Sequence, residues 1–274
     1  MIAPLLVLAD FFLPANRALA YAATLAAPLG AGLVLLHVTR DSVLDPERFT
    51  GELQGLDAEA VNLAFDSLVR NLAVPATAEL GHGRVAEAVA AAVRRHRPAL
   101  LVLGRPDRGD LPDELVSTTA LDILRAAPCP VLVVPPAVQH APAPRRILLA
   151  VDGEPFSLGE HAAVLRHLLG DLGAELTVLH VEAEASPAAT TAAALKSVQG
   201  TGLTLELPQP IRTRSVRGAR PAEAILKAAQ PSETDLVVVI ARPRSFLSEL
   251  FHHSVTAQVL LHSPVPVLVL PAQG

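Results

Sequence analysis

Two carboxylates stand at the ends of apolar runs, where a strand-end ligand contact could form. Asp10 closes Leu5-Leu6-Val7-Leu8-Ala9, and Asp152 closes Ile147-Leu148-Leu149-Ala150-Val151. At the carboxyl end of a strand in an open α/β sheet, such a group can accept a hydrogen bond from a ribose hydroxyl. It can equally cap the helix that follows. A second set lies further along, where Arg242, Arg244, His252 and His253 make the chain locally basic and Ser254 offers a hydroxyl for a helix start. Such a set suits an anion such as phosphate.

The other reactive types read as structural. Neighbouring residues of a helix project about 100° apart, so His252 and His253 do not share a face, and with His262 they make no metal set. His37 and His180 occupy matching run ends and suit packing or a backbone hydrogen bond. Cys129 sits between two prolines ahead of an apolar run and reads as a small buried hydrophobe. As the single cysteine it excludes an intrachain disulfide and a cysteine metal cluster. Arg94-Arg95-His96-Arg97 complements the dipole of a helix end. A Walker-type phosphate loop is absent. So is the His-x-x-His or His-x-Gly-His that a nucleotidyl transferase of this general fold would need near its first helix. No catalytic set emerges.

These residues recur in pairs because the chain is duplicated. Leu33-Val34-Leu35-Leu36-His37-Val38 matches Leu176-Thr177-Val178-Leu179-His180-Val181, and Gly83 and Gly218 precede matching segments. Residues 99–104 match 235–241, and Pro128-Cys129-Pro130-Val131-Leu132-Val133-Val134 matches Pro264-Val265-Pro266-Val267-Leu268-Val269-Leu270. With the runs ending in Asp10 and Asp152, five anchors recur in one order. The prolines and small residues of 135–144 mark a break. Copy one is expected over residues 1–136, a linker over 137–144 and copy two over 145–274.

In each copy, short runs that are hydrophobic throughout alternate with segments of helical period. The runs read as strands buried on both faces. Leu158, Ala162, Leu165, Leu169 and Leu172 share one helical face, as do Leu53, Leu56, Ala60, Leu63, Ala64 and Leu68 in copy one. The alternation predicts an α/β fold: two tandem parallel-sheet, three-layer, Rossmann-like sandwiches of about five strands each.

The order and duplication of these landmarks resemble the universal stress protein family, over nearly the whole chain. The resemblance implies a five-stranded parallel domain whose last strand pairs antiparallel with that of a second domain. Here that contact would fall to Val131–Val134 and residues 267–270, giving an intramolecular pseudo-dimer and removing two unpaired apolar edges. ATP-binding members carry Gly-x-x-Gly, then about nine residues, then Gly-Ser or Gly-Thr, which lets backbone N–H groups approach phosphate closely. Copy one offers Gly104-Arg105-Pro106-Asp107 with Ser117-Thr118, and copy two offers Ala241-Arg242-Pro243-Arg244 with His253-Ser254. One glycine of three survives in the first and none in the second. Asp107, Asp110, Asp113 and Glu114 also oppose a triphosphate. Asp10, Val38, Asp152 and Val181 stand where relatives line an adenosine pocket. The candidate cleft residues are therefore Asp10, Val38, Gly104, Ser117 and Thr118 in copy one, with Asp152, Val181, Arg242, Arg244 and Ser254 in copy two.

Composition narrows the setting. The 274 residues are 51% hydrophobic and 18% charged, with a formal net charge of -5 and no aromatic-interleaved basic run, which speaks against nucleic acid. No uninterrupted apolar run reaches the roughly 18 residues of a membrane span. The apolar start lacks a basic leader and is interrupted by Asp10, so the expected location is cytoplasmic. The reading is a tandem stress-response protein that acts by binding partner proteins or a small ligand, with ATP-type motifs degraded in both copies. The alternative is a nucleotide-binding sensor with weak or no ATPase activity. ATP stays open as a ligand, and a homodimer of tandem chains stays open as an assembly.

Overall fold

The computed structural model describes residues 3–9, 13–39, 58–106, 122–123, 125–126, 129–138, 142–182, 191–205, 207–218, 220–242 and 254–273. Copy one supplies β1 (Leu5–Leu8), α1 (Leu13–Leu29), β2 (Leu33–Thr39), α2 (Ala58–Arg70), β3 (Ala76–His82), α3 (Val85–His96), β4 (Leu100–Gly104) and β5 (Val131–Val134). Copy two supplies β6 (Arg146–Val151), α4 (His161–Leu172), β7 (Glu175–Glu182), α5 (Thr191–Gly200), β8 (Arg212–Arg217), α6 (Pro221–Ala228), β9 (Leu236–Ala241), α7 (Val255–His262) and β10 (Val267–Pro271).

The strands form one ten-stranded sheet in the order β3-β2-β1-β4-β5-β10-β9-β6-β7-β8. Pairing is parallel within each copy. Only β5 and β10 meet antiparallel, with Leu132 opposite Leu268 and Val131 opposite Val269. The expected last-strand contact is therefore present, and it makes the pseudo-dimer a single continuous sheet.

Both faces of the sheet's interior are covered, which is why the inner strands β1, β4, β5, β9 and β10 are apolar throughout. On the first face Leu5, Val7, Leu35, Val102, Leu149, Val178, Val238 and Leu268 share a core with residues of α1, α4 and α5. On the second, Leu6, Val34, Leu101, Val133, Leu148, Val237 and Val267 pack with residues of α3, α6 and α7. Each core runs unbroken through both copies, so neither half has a hydrophobic interior of its own on either face.

The helical stripe of α4 lies as its spacing predicts, with Leu158, Leu165, Leu169 and Leu172 all buried. In α2 the phase differs. Leu63 is 61% exposed, whereas Phe65 is buried, with Leu68, Val69 and Leu72 packed against the same core. Leu63 and Phe65 are two residues apart, about 200° around the helix, so one turned inward puts the other in water. The large ring wins the core because it buries more apolar area. Leu53 and Leu56 lie outside the described residues. Cys129 is buried, as expected, and burial pushes its thiol up to about 12.

Candidate functional site

Copy two has the more completely described set of candidate residues. Asp152 follows β6 directly, and Arg242 follows β9, the adjacent strand. The two side chains meet as a fork: Arg242 Nε donates to Asp152 Oδ2 at 2.8 Å and Nη2 donates to Oδ1 at 2.6 Å. Arg242 also donates to the backbone carbonyls of Pro155 at 3.1 Å and Glu154 at 2.9 Å. The Glu154 carboxylate stands 3.8 Å away. Asp152 closes the turn from its side, accepting the Glu154 N–H at 3.0 Å.

The electrostatics follow from these contacts. Partial burial of Asp152 works to raise its pKa. The Arg242 hydrogen bonds and charge, with the Glu154 N–H, outweigh it and leave the carboxyl below its ordinary range. The same hydrogen bond to Asp152 holds the Arg242 guanidinium more firmly protonated. Arg242 is only 17% exposed and Asp152 53% exposed. The charge that the sequence offers to an anion is thus already met by Asp152, with Glu154 close by. Asp152 does not cap the helix that follows, because α4 begins after Glu160, eight residues further on.

The remaining copy-two residues are placed as follows. Val181 lies near the end of β7 opposite Val216, partly buried in the second core. Ser254 caps α7, its hydroxyl accepting the Ala257 N–H at 3.1 Å. Arg244, His252 and His253 lie outside the described residues. In copy one, Gly104 is the last residue of β4 and pairs with Val134. Val38 pairs with Gly81 near the end of β2. Asp10, Ser117 and Thr118 lie outside the described residues. Among the described residues no cluster of three or more His, Cys, Asp or Glu side chains could hold a metal.

The matching histidines behave alike. His37 Nδ1 lies 3.1 Å from the Ala9 carbonyl, and His180 Nδ1 lies 3.2 Å from the Val151 carbonyl. A carbonyl only accepts, so each ring donates from Nδ1 and ties its strand to the neighbour, as backbone hydrogen bonding at these positions would require.

Sequence matching sets Arg105-Pro106 against Arg242-Pro243, but the ladder places them differently. Leu101 and Val237 pair with the equivalent residues Val131 and Val267. Counting from there, Gly104 stands level with Ile240 rather than Ala241. β9 is six residues long and β4 five. Successive side chains of a strand point to opposite faces, so this one residue turns the two arginines apart. Arg242 projects on the first face, toward the turn that leads into α4. Arg105 projects on the second and crosses into copy two. There its Nη1 donates to the Leu260 carbonyl at 2.6 Å and its Nη2 to the Ser263 carbonyl at 2.9 Å, at the carboxyl end of α7. The sequence signal for this role is the repeated Arg-Pro after each strand. The partners, more than 150 residues away in the chain, leave no local trace.

No helix among the described residues is long and apolar enough to cross a membrane. Solved structures with the same fold include a universal stress protein from Archaeoglobus fulgidus DSM 4304. It is 17% identical, with a TM-score of 0.75 and 98% of each chain covered. A putative universal stress protein from Pseudomonas aeruginosa UCBPP-PA14 is 20% identical, with a TM-score of 0.64, covering 99% of this chain and 94% of that one. The cytoplasmic domain of a prokaryotic cation chloride cotransporter shares the fold at 14% identity and a TM-score of 0.59, covering 98% of this chain and 95% of that one. No curated protein matches the chain. The Universal stress protein family is matched twice, over residues 1–135 and 144–271, and the chain belongs to that family as a tandem member.

Proposed function

We propose that this protein acts in the stress response by binding, in the cytoplasm, and that neither cleft takes ATP in the manner of the family's ATP-binding members. The observation that carries this reading is the Arg242–Asp152 fork. A ribose hydroxyl approaching Asp152 must compete with a bidentate, charge-assisted pair, the strongest type of side-chain hydrogen bond. An incoming phosphate must likewise draw Arg242 away from two carboxylates. The lost glycines act in the same direction, since side chains keep the backbone from approaching phosphate closely. The fold alone does not settle the matter, because one scaffold supports many functions.

Copy one supports a second reading, a nucleotide-binding sensor. It keeps Gly104, and its arginine is directed across to α7 rather than into its own cleft. Calorimetric titration of nucleotide-stripped protein with ATP and magnesium, alongside ADP and AMP, separates the two. The expected result is no saturable heat and an unchanged melting temperature at millimolar ATP. Binding tighter than about 100 μM, roughly 5.5 kcal/mol, overturns the first reading. If that binding survives Arg242→Ala unaltered, it resides in copy one. If it strengthens, it resides in copy two.

A further inference from the structure

One helical turn distinguishes the two outer ends of the sheet. α3 runs for 12 residues to His96, and α6 stops after 8 at Ala228. Pro231 accounts for the difference. It biases Gln230 away from helical angles, and in a continuing helix its ring would clash with the Lys227 carbonyl. In copy one the last turn of α3 brings Arg95 and His96 onto Glu79 of β3. In copy two that turn is missing, and a groove of about 450 Å³ lies on the second face, bordered by Glu175, Thr177, Arg212, Arg214 and Glu233.

Beside the groove runs β8, the outermost strand, whose only partner among the described residues is β7. Arg212, Thr213, Arg214, Ser215 and Arg217 are all exposed, while Val216 is half-buried against the second core, so β8 shows water-facing polar side chains on both faces. A strand with one neighbour presents unpaired N–H and C=O groups along its free side, a template for another strand.

The charges lie in rows. β8 contributes Arg212 and Arg214 to the second face and Arg217 to the first. Their carboxylates lie inboard: Glu175 at 2.9 Å from Arg212, Glu233 at 3.2 Å from Arg214 and Glu182 at 3.5 Å from Arg217. A segment laid along the free side therefore meets guanidinium groups first. Each guanidinium has five N–H donors, so a carboxylate on the inner side leaves donors for one on the outer side.

We infer that β8 is a docking edge for an acidic, extended segment of another polypeptide, which joins the sheet as an added strand with carboxylates beside Arg212 and Arg214. A second copy of this chain is a poor occupant. Antiparallel pairing of β8 with itself brings arginines opposite or diagonal to one another, and such like-charge pairs are destabilising. The opposite edge, β3, offers no arginine, and its Glu79 is already paired with α3.

Fluorescence anisotropy on the full chain tests the inference. The probe is a labelled ten-residue peptide alternating Glu and Val, with a second version N-methylated at alternate backbone amides and a single-stranded oligonucleotide of equal charge. The expected result is saturable binding of the first peptide at about 100 μM or tighter at physiological salt. The N-methylated peptide and the Arg212→Glu/Arg214→Glu variant should each weaken it by about tenfold or more. Arg212→Ala/Arg214→Ala, which removes attraction without adding repulsion, should weaken it by a smaller factor while the melting curve stays unchanged. No saturation by about 1 mM overturns the inference. So does undiminished binding of the N-methylated peptide, which would show charge attraction without strand addition. Equal affinity for the oligonucleotide overturns it as well, marking the edge as a general polyanion surface.

Discussion

Replacing Arg105 by alanine is expected to loosen copy two although the residue belongs to copy one. The side chain makes two hydrogen bonds to carbonyls at the carboxyl end of α7, Leu260 at 2.6 Å and Ser263 at 2.9 Å. A bond to an ionised donor contributes about 1.5–3 kcal/mol, and a cation at a helix carboxyl terminus adds about 0.3–1 kcal/mol. These contributions overlap, so the combined loss is about 3 kcal/mol, partly offset by whatever water reaches the freed carbonyls. Denaturant unfolding measures the total, and amide hydrogen exchange locates it. Exchange should accelerate over residues 259–263, whose N–H groups lie in the last turn that Arg105 holds. Arg105→Lys keeps the charge but lacks the planar fork that spans both carbonyls, so it should fall between alanine and the parent. A loss below about 1 kcal/mol with exchange over α7 unchanged would refute the assignment of Arg105 as a strut between the copies.

Two further perturbations have signs fixed by the structure. Burial works to raise the pKa of Asp235, but hydrogen bonds from Arg146 and from the Arg145 and Arg146 N–H groups lower it further, and the net shift is downward. A depressed folded-state pKa means that this stabilisation is complete above the unfolded value of about 3.9 and is lost as pH falls through the folded one. Asp235→Asn should therefore flatten the acid limb of a stability-versus-pH curve, and an unchanged limb would contradict the assignment. The Cys129 thiol, buried and pushed up to about 12, should resist a thiol reagent at neutral pH in the folded protein and react on unfolding. Rapid labelling of the native chain would contradict its structural role.

Periodic features were legible in the sequence, and paired distant ones were not. Duplication and the apolar strands follow from runs such as Val131–Val134, whose burial on both faces leaves a plain signature, whereas the antiparallel contact of the last strands is implied only by the family resemblance. In α2 Leu68 packs inward as its spacing predicts, but Leu63 stands in water because Phe65 sets the phase of the helix. The clamp on Asp152 leaves no local trace in the sequence, because Arg242 lies 90 residues away. The added residue of β9 shows in the sequence as seven residues, 235–241, matched to six, 99–104, but the matched Arg-Pro pairs hide what it does to the face each arginine takes. A one-residue difference in a strand hardly alters a sequence match, yet it reverses the face on which every later side chain stands.

That added residue also bears on what joining two domains in one chain makes available. Two identical subunits about a twofold axis must hold both arginines alike, so each change appears twice. Here the symmetry is broken by one position. Arg105 supports the neighbouring half, Arg242 closes its own, and only one outer edge carries a row of arginines. The covalent pair is in effect a heterodimer of fixed stoichiometry. One half can be altered at its cleft or its edge without imposing the same alteration on the other, while the shared sheet keeps the two in register.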